Sequence, residues 1–309
     1  MKNSIEYFSA PGKLLITGEY LILKGAEGFA IPLKVGQDLS VAVSESDEPK
    51  LFWKASNPDG TWFTGEFILP SFTIEKTTDE SFANRLVEIL KTVRELNPKF
   101  LLSGKYNVKT KLDFNPDFGF GSSSTLIVNL SRWAKVDAFE LQKLTFKGSG
   151  YDVACGLVDN PIIYKLEQGR PVYRNVSFKK EFAKNIFFVF LGRKQRSMDA
   201  IKQFKEKAGF TPIDINAIND ITQKVVETQS LKEFEDLLTE HELILSKILQ
   251  TPTIHRQLFS GYRDGVVKSL GAWGGDFVLV TSKDEPANFK KKMEQRGFSV
   301  VYKYDELIV

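Results

Sequence analysis

Residues 115–124 read Asn-Pro-Asp-Phe-Gly-Phe-Gly-Ser-Ser-Ser, a glycine-serine stretch between two segments of regular structure. Residues 106–114 alternate polar and apolar side chains, which predicts a strand, and the apolar run 125–133 predicts a helix. Glycines let a backbone approach a ligand closely, and a helix start presents unpaired N–H groups and the positive end of the helix dipole. The stretch is therefore either an anion-binding loop or a turn with a serine helix cap.

The two commoner phosphate loops do not fit these residues. The P-loop pattern requires a lysine after its last glycine, and Ser122 follows Gly121. The dinucleotide fingerprint requires a third glycine where Ser124 stands. We interpret the match of residues 117–119 to the Asp-Phe-Gly motif of protein kinases as accidental, because no His-Arg-Asp segment precedes it.

Three further segments carry candidate chemistry. Residues 10–20 read Ala-Pro-Gly-Lys-Leu-Leu-Ile-Thr-Gly-Glu-Tyr and place Lys13 at the start of a predicted strand, where it is either a solvated charge or a group that steadies a phosphate or activates a substrate hydroxyl. Residues 148–154 read Gly-Ser-Gly-Tyr-Asp-Val-Ala, in which Asp152 is either a helix cap or a base for an attacking hydroxyl. Residues 268–276 contain Gly271, Gly274 and Gly275 before an apolar run, which indicates either a plain turn or a ligand-lining loop.

Composition restricts the class of protein. A chain of 309 residues corresponds to about two domains. The 42 basic and 39 acidic residues leave a net charge of +3, which gives no electrostatic reason to expect nucleic acid or a membrane surface as partner. The chain has a single cysteine and lacks an apolar run of the ~20 residues that span a bilayer. We therefore expect a soluble, cytoplasmic protein with a small anionic substrate.

Hydrophobic spacing predicts an α+β protein of two domains, residues 1–180 and 181–309. In the first part we predict a helix over 82–96 capped by Ser81, a helix over 138–145, and strands over 5–9, 14–17, 39–43, 51–54, 61–69, 106–114, 161–166 and 171–177. The strands over 51–54 and 61–69 are predicted to form a hairpin, because Asn-Pro-Asp-Gly at residues 57–60 is a strong turn signal. In the second part we predict strands over 185–191, 277–281 and 298–303, and helices over 198–207, 214–228, 231–249, 254–268 and 286–295.

The order and content of these segments resemble the GHMP kinase superfamily. The first motif of that family is similar to residues 10–20. Its phosphate loop is similar to residues 116–123, with Phe120 in place of a leucine, and its third motif is similar to residues 271–275, with Trp273 in place of a glycine. Within the superfamily the chain is most similar to phosphomevalonate kinases and mevalonate kinases.

The resemblance implies a domain like domain 2 of ribosomal protein S5, followed by a ferredoxin-like domain, with the active site in the cleft. It also implies transfer of the γ-phosphoryl group of ATP, with Mg²⁺, to a small molecule, with phosphomevalonate or mevalonate as the expected acceptor in isoprenoid precursor synthesis. A homodimer is left open. The alternatives are a kinase for another hydroxylated metabolite and a non-catalytic nucleotide-binding relative.

The resemblance also assigns residues. Asp152 is implied as the catalytic carboxylate and Lys13 as its cationic neighbour at the acceptor. The residues implied to hold ATP are Gly119, Gly121, Ser122, Ser123, Ser124, Gly271, Ala272 and Gly274. Those implied to contact the acceptor are Lys13, Glu19, Tyr20, Arg193 and Arg196, and those implied to bind Mg²⁺ are Ser123 and Glu140.

Three of these assignments have structural alternatives. Glu140 also forms a helix-start pair with Asp137, and we favour that interpretation. Arg193 and Arg196 could hold a phosphate or carboxylate, or could belong to an exposed basic turn. Trp273 places a bulky ring where the family has a glycine, which would narrow or reshape the site.

Overall fold

The computed structural model describes residues 5–192, 204, 209–271, 273 and 275–308. Packing divides the chain into two compact units whose segments interleave along the sequence. Unit 1 comprises Met1–Gly12, Val35–Pro116 and Phe120–Leu157, and unit 2 comprises Lys13–Lys34, Asp117–Gly119 and Val158–Val309. The two domains predicted from the sequence, residues 1–180 and 181–309, are contiguous, whereas the units are not, and this domain division stays a prediction.

The strands of unit 1 form one sheet in the order β5-β4-β3-β6-β2, and β1 pairs with β2. These strands are β1 (Ile5–Thr17), β2 (Gly28–Ser44), β3 (Lys50–Asn57), β4 (Gly60–Ile68), β5 (Thr73–Thr77) and β6 (Lys105–Leu112), of which β1 and β2 continue into unit 2. β3 runs parallel to β6 and antiparallel to β4. The predicted hairpin of β3 and β4 is thus confirmed, and its turn lies at the Asn-Pro-Asp-Gly signal.

Four helices of unit 1 supply the remainder of its core. They are α1 (Glu80–Leu96), α2 (Ser122–Ala134), α3 (Ala138–Thr145) and α4 (Tyr151–Gly156). The apolar side chains of α1 and α2 join those of β2, β3, β4 and β6 in one buried cluster. Our prediction that Ser81 caps α1 is wrong. Asp79 is the cap, because its carboxylate accepts the N–H of Phe82 at 2.9 Å.

Unit 2 contains a hairpin, a second sheet and five described helices. The hairpin of β7 (Ile162–Glu167) and β8 (Arg170–Asn175) lies beside the first residues of β2. The second sheet is antiparallel, in the order β10-β11-β9-β12. Its strands are β9 (Ile186–Phe190), β10 (Val267–Ser269), β11 (Phe277–Thr281) and β12 (Val301–Lys303), and the helices are α5 (Pro212–Glu227), α6 (Leu231–Leu249), α7 (Ile254–Leu258), α8 (Pro286–Gln295) and α9 (Tyr304–Leu307).

The helix predicted over residues 254–268 is wrong beyond Leu258, where α7 ends. Gly265 lies so close to β11 that a Cβ atom there would stand 2.2 Å from the backbone oxygen of Thr281. Val267 then begins β10, which pairs with β11. Pairing with a neighbouring strand therefore overrides the local helical spacing in this segment.

Other differences are smaller. The strands predicted over 5–9 and 14–17 are one continuous strand, β1, and β2 begins at Gly28 instead of residue 39. Short 3-10 helices cover Leu21–Lys24, Pro116–Phe118 and Glu181–Asn185. The helix predicted over 198–207 lies outside the described residues except for Phe204. The α+β class is confirmed, and within the described part of the chain no helix combines the length and apolarity needed to cross a membrane.

Candidate functional site

The start of α2 carries three residues of the predicted phosphate loop. Gly121 is the N-cap in the left-handed conformation, with φ of 93°, and no side chain of the described residues caps the helix. The helix begins at Ser122, three residues earlier than predicted, so the serines form its first turn. A 13-residue helix whose first N–H groups lack a side-chain cap provides donors and a positive dipole end that suit phosphate oxygens.

The serines of this turn face different surroundings. Ser122 is half-buried and Ser123 is exposed, whereas Ser124 is buried. The Ser124 hydroxyl donates to the Gly121 carbonyl oxygen at 2.9 Å, and the Thr125 hydroxyl donates to Oε1 of Gln37 at 3.0 Å. Ser122 and Ser123 therefore offer hydroxyls at the surface, while Ser124 and Thr125 fix the first turn from inside.

Gly119, the first glycine of the loop, belongs to unit 2 together with Lys13. The Lys13 ammonium donates to the Gly119 carbonyl oxygen at 2.7 Å, across 106 residues of sequence. Gly119 has a φ of 67°, and a Cβ atom there would stand 2.3 Å from Oδ2 of Asp276. The Lys13 ammonium and the Asp276 carboxylate thus both lie next to Gly119. The positive φ and the close carboxylate each require glycine at position 119.

Asp152 lies in unit 1, in the first turn of α4. Gly150 caps that helix with φ of 89°, and Asp152 is half-buried, with Oδ1 accepting the N–H of Val153 at 3.0 Å. Val153 and Ala154 are fully buried and hold the turn in the core of the unit. The catalytic role of Asp152 stays a prediction. The structure supplies a partly accessible carboxylate on a helix turn that is anchored in the core.

Glu140 is exposed in the first turn of α3, where the Asp137 carboxylate accepts its backbone N–H at 2.8 Å. Asp137 thus caps the helix in the way that we favoured, and the magnesium role of Glu140 stays a prediction. No group of three or more His, Cys, Asp or Glu side chains is placed to hold a metal ion in the part of the chain that the structure describes. Mg²⁺ usually takes only one or two carboxylates and otherwise water and substrate phosphates.

Glu19 lies in a buried ionic network of unit 2 and is only 2% exposed. Its Oε1 accepts from the Lys268 ammonium at 2.5 Å, and its Oε2 is 3.3 Å from Nε2 of His241. His241 accepts the backbone N–H of Gly18 at 2.9 Å on the same nitrogen. The network therefore fixes the Gly-Glu-Tyr turn from within, and contact of Glu19 with a substrate stays a prediction.

Burial dominates the ionisation of this network. It raises the pKa of Glu19 to about 7, although the Lys268 ammonium acts in the opposite direction. It also raises the pKa of Glu242, whose carboxylate accepts from the backbone N–H groups of Ile254 and Ser269. Burial and the nearby Lys268 hold the pKa of His241 well below its usual 6.5, so His241 is neutral at neutral pH.

Tyr20 and Trp273 contact each other in the same unit. The Tyr20 hydroxyl accepts the backbone N–H of Trp273 at 2.7 Å, and burial raises the pKa of Tyr20 to about 12. The Trp273 side chain packs in an apolar cluster with Tyr20, Ile218 and Leu245 and is 9% exposed. The ring that replaces a family glycine is thus a core residue of unit 2, and the acceptor role of Tyr20 stays a prediction.

Of the remaining predicted site residues, the structure describes one, Gly271. Gly271 is half-buried with φ of 65°, and a Cβ atom there would meet open space. Arg193, Arg196, Ala272 and Gly274 lie outside the described residues.

A cavity of about 540 Å³ lies on the outer face of the unit 1 sheet. Its lining includes Tyr7, Asp38, Lys54, Lys109 and Lys111 and contains none of the predicted site residues. The candidate site is therefore the glycine-serine start of α2 with its contacts, and this cavity is not part of it.

Three residues of these contacts received no role from the sequence: Asp276, Lys268 and Glu242. A lysine within the apolar pattern Val-Val-Lys-Ser-Leu at residues 266–270 is a signal of a buried pair, because an unpaired charge is too costly to bury. Asp276 follows directly after the glycine-rich segment, and its sequence context gives no signal of a role. Its contact with Gly119 in the folded chain identifies it as a residue of the site.

The fold is shared with several solved structures. Methanococcus jannaschii mevalonate kinase matches with a TM-score of 0.71 and 15% identity, over 98% of each chain. Streptococcus pneumoniae phosphomevalonate kinase, in complex with phosphomevalonate and AMPPNP, matches with a TM-score of 0.71 and 17% identity, over 96% of this chain and 99% of that one.

Lactococcus lactis galactokinase, complexed with galactose, matches with a TM-score of 0.66 and 15% identity, over 97% of this chain and 92% of that one. The chain has the GHMP kinase fold. The fold predicted from the motif order is thereby confirmed over nearly the full length of the protein. A scan against protein-family models found no match, and a search of curated proteins found no significant one.

Proposed function

We propose that this GHMP-fold protein is an ATP-dependent kinase of a small anionic molecule. The observation that carries this proposal is the start of α2, where Gly121 in the left-handed conformation opens a helix turn without a side-chain cap. The kinases whose solved structures share this fold add support. Anion binding at such a turn is a general property of helix N-termini.

The residues present fit a nucleotide with its magnesium ion. ATP would supply the transferable phosphoryl group, and Mg²⁺ would neutralise charge on its oxygens. The N–H groups of Ser122 and Ser123 would bind phosphate oxygens, and the exposed Ser123 hydroxyl would be the protein ligand of the ion. Gly119, Gly121 and Gly271 would let the backbone come close to the nucleotide, and Ser124 would keep the turn in shape.

Lys13 and Asp152 would act on the acceptor. Asp152, held by the core of unit 1, would orient an acceptor hydroxyl and take its proton at a carboxylate oxygen. Lys13, fixed to the Gly119 carbonyl oxygen, would balance the charge that develops on the acceptor. Phosphoryl transfer depends mainly on alignment and charge neutralisation, which these two groups can provide.

We propose phosphomevalonate or mevalonate as the acceptor. Two of the structures with this fold are complexes with these compounds, namely phosphomevalonate with the Streptococcus pneumoniae enzyme and R-mevalonate with the L. major enzyme. Both compounds are anionic, which suits a site that contains Lys13. Glu19 and Tyr20 would support the acceptor side by fixing the turn after β1.

An acceptor panel tests the activity. ADP release with Mg²⁺-ATP would be measured with mevalonate, phosphomevalonate, galactose and homoserine as acceptors. We expect turnover with one of the first two. Turnover with galactose or homoserine alone would overturn the substrate and retain the kinase. Nucleotide binding without turnover on any acceptor would favour a non-catalytic relative.

The role of Asp152 is tested by its replacement with alanine. Asp152→Ala should lower kcat by a factor of about 10² to 10⁴, the usual contribution of a general base, and leave the affinity for Mg²⁺-ADP nearly unchanged. The matched control is Asp159→Ala, which alters an exposed aspartate seven residues further on. Full activity of the Asp152 variant would show that another group acts on the acceptor.

A further inference from the structure

The carboxylate of Asp276 occupies the space beside Gly119 in which any side chain would stand. A Cβ atom at Gly119 would lie 2.3 Å from Oδ2 and 2.6 Å from Cγ of Asp276. These distances are shorter than a van der Waals contact, so carboxylate and glycine are in direct contact. Since 157 residues of sequence separate them, tertiary folding alone brings them together.

The same peptide holds Lys13 through its carbonyl oxygen, at 2.7 Å from the ammonium nitrogen. With ordinary bond lengths, the carboxylate and the ammonium are therefore no more than about 9 Å apart. That upper limit is close to the Debye length of about 10 Å at 0.1 M salt, so salt screens the attraction between the two charges only in part.

The backbone on both sides keeps the Asp276 carboxylate in place. The Asp276 carbonyl oxygen accepts the N–H of Leu191 at 2.8 Å. Phe277, the next residue, meets the Phe118 ring edge to face at 5.5 Å, and Phe118 directly precedes Gly119. Asp276 itself has a φ of 52°, in the left-handed region that aspartate enters more readily than most residues. These contacts fix the carboxylate and the glycine against each other.

We propose that Asp276 is a positioning residue for Lys13: the negative charge of its carboxylate attracts the Lys13 ammonium and holds it at the Gly119 carbonyl oxygen. Opposite charges attract each other through space, and the attraction is stronger where water is partly excluded than in bulk solvent. This role rests on the proposed function, in which Lys13 balances charge on the acceptor. Asp276 acts through Lys13 and does not itself contact the acceptor.

A double-mutant cycle tests whether Asp276 acts through Lys13. Asp276→Asn keeps the shape and removes the charge, and should lower kcat about tenfold while KM for ATP changes less than about twofold. Asp276→Asn combined with Lys13→Met should be no slower than Lys13→Met alone, because a positioning residue has no effect once its target is gone. Losses that multiply in the double variant would overturn the role.

Asp220→Asn is the matched control, because Asp220 is an exposed aspartate of unit 2 on α5. It should retain wild-type kcat, and thermal unfolding of every variant should match that of the wild type within a few degrees. If Asp276→Asn does not fold, Asp276→Gly replaces it, since glycine accepts the φ of 52° without strain.

A second measurement is independent of catalysis. The rate at which an amine-specific reagent modifies Lys13 is followed by mass spectrometry of its peptide. It should rise severalfold in Asp276→Asn and stay unchanged in Asp220→Asn, because an amine that the carboxylate no longer holds at the Gly119 carbonyl oxygen is more accessible to the reagent. An unchanged rate in Asp276→Asn would overturn the positioning role, whereas absence of turnover in the wild type would overturn only the proposed kinase function.

Discussion

Replacement of Glu19 by glutamine should change how the stability of the protein depends on pH. Glu19 is 2% exposed, and burial raises its pKa from 4.5 to about 7. The folded state therefore binds a proton more tightly than the unfolded state. Stability contributed by this group is present below pH 4.5 and is lost as the pH rises toward 7. A shift of this size corresponds to about 3 kcal/mol.

Glu19→Gln keeps the shape of the protonated acid and cannot ionise. The difference in unfolding free energy, variant minus wild type, should therefore increase by about 3 kcal/mol between pH 4.5 and pH 8. Any constant effect of the lost Lys268 contact cancels from this difference. Because the Glu19 carboxylate lies 3.3 Å from Nε2 of His241, the comparison is repeated in the His241→Gln background, where the acid sensitivity of His241 is absent.

Urea unfolding, measured by tryptophan fluorescence at half-unit pH steps, gives the required free energies. Trp273 is a suitable probe, because its ring belongs to the same buried cluster as Tyr20, the neighbour of Glu19. Glu294→Gln, at an exposed position of α8, is the control and should show no pH-dependent difference from the wild type. A flat or falling difference for Glu19→Gln would refute the assignment of a buried, proton-binding carboxyl.

Further outcomes follow from single contacts. His241→Gln should remove the loss of stability below pH 6.5, because a buried neutral histidine opposes protonation; acid unfolding curves will show it. Thr211→Ala should cost about 1 kcal/mol by breaking the capping box of α5, which thermal unfolding measures, and unchanged stability would contradict it. Trp273→Gly should cost about 3–5 kcal/mol by leaving a cavity in its apolar cluster, measured in urea. Gly119→Ala should reduce ADP release at least tenfold, because its Cβ would overlap the Asp276 carboxylate; retained activity would argue against that contact.

Helices and hairpins that end at typical turn or cap residues were predicted correctly, or nearly so, from local sequence signals. The Asn-Pro-Asp-Gly turn produced the hairpin of β3 and β4, and the helices over residues 231–249 and 286–295 have the predicted bounds. The cap of α1 was misplaced by two residues, since Ser81 and Asp79 are both good capping types and only the geometry distinguishes them.

Elements that depend on a distant strand were not predictable in this way. Residues 254–268 have helical spacing throughout, yet the approach of Gly265 to Thr281 and the pairing of β10 with β11 convert the second half to a strand. The same applies to residues 28–34, whose apolar run becomes the first part of β2 through its pairing with β1 and β7.

The sequence by itself determined that a glycine-serine loop at residues 119–124 leads into α2, because glycine conformation and helix polarity are local properties, although the helix was predicted to begin at residue 125 and begins at Ser122. It also determined the order of the motifs, from which the GHMP fold followed. Only the tertiary structure decided that Lys268 donates a hydrogen bond to Glu19, that Trp273 is a core residue and that Asp276 lies against Gly119. The partners in these contacts are separated by between 150 and 260 residues. Burial of a charge and steric contact depend on which residues are close in space, and a local sequence pattern does not encode that.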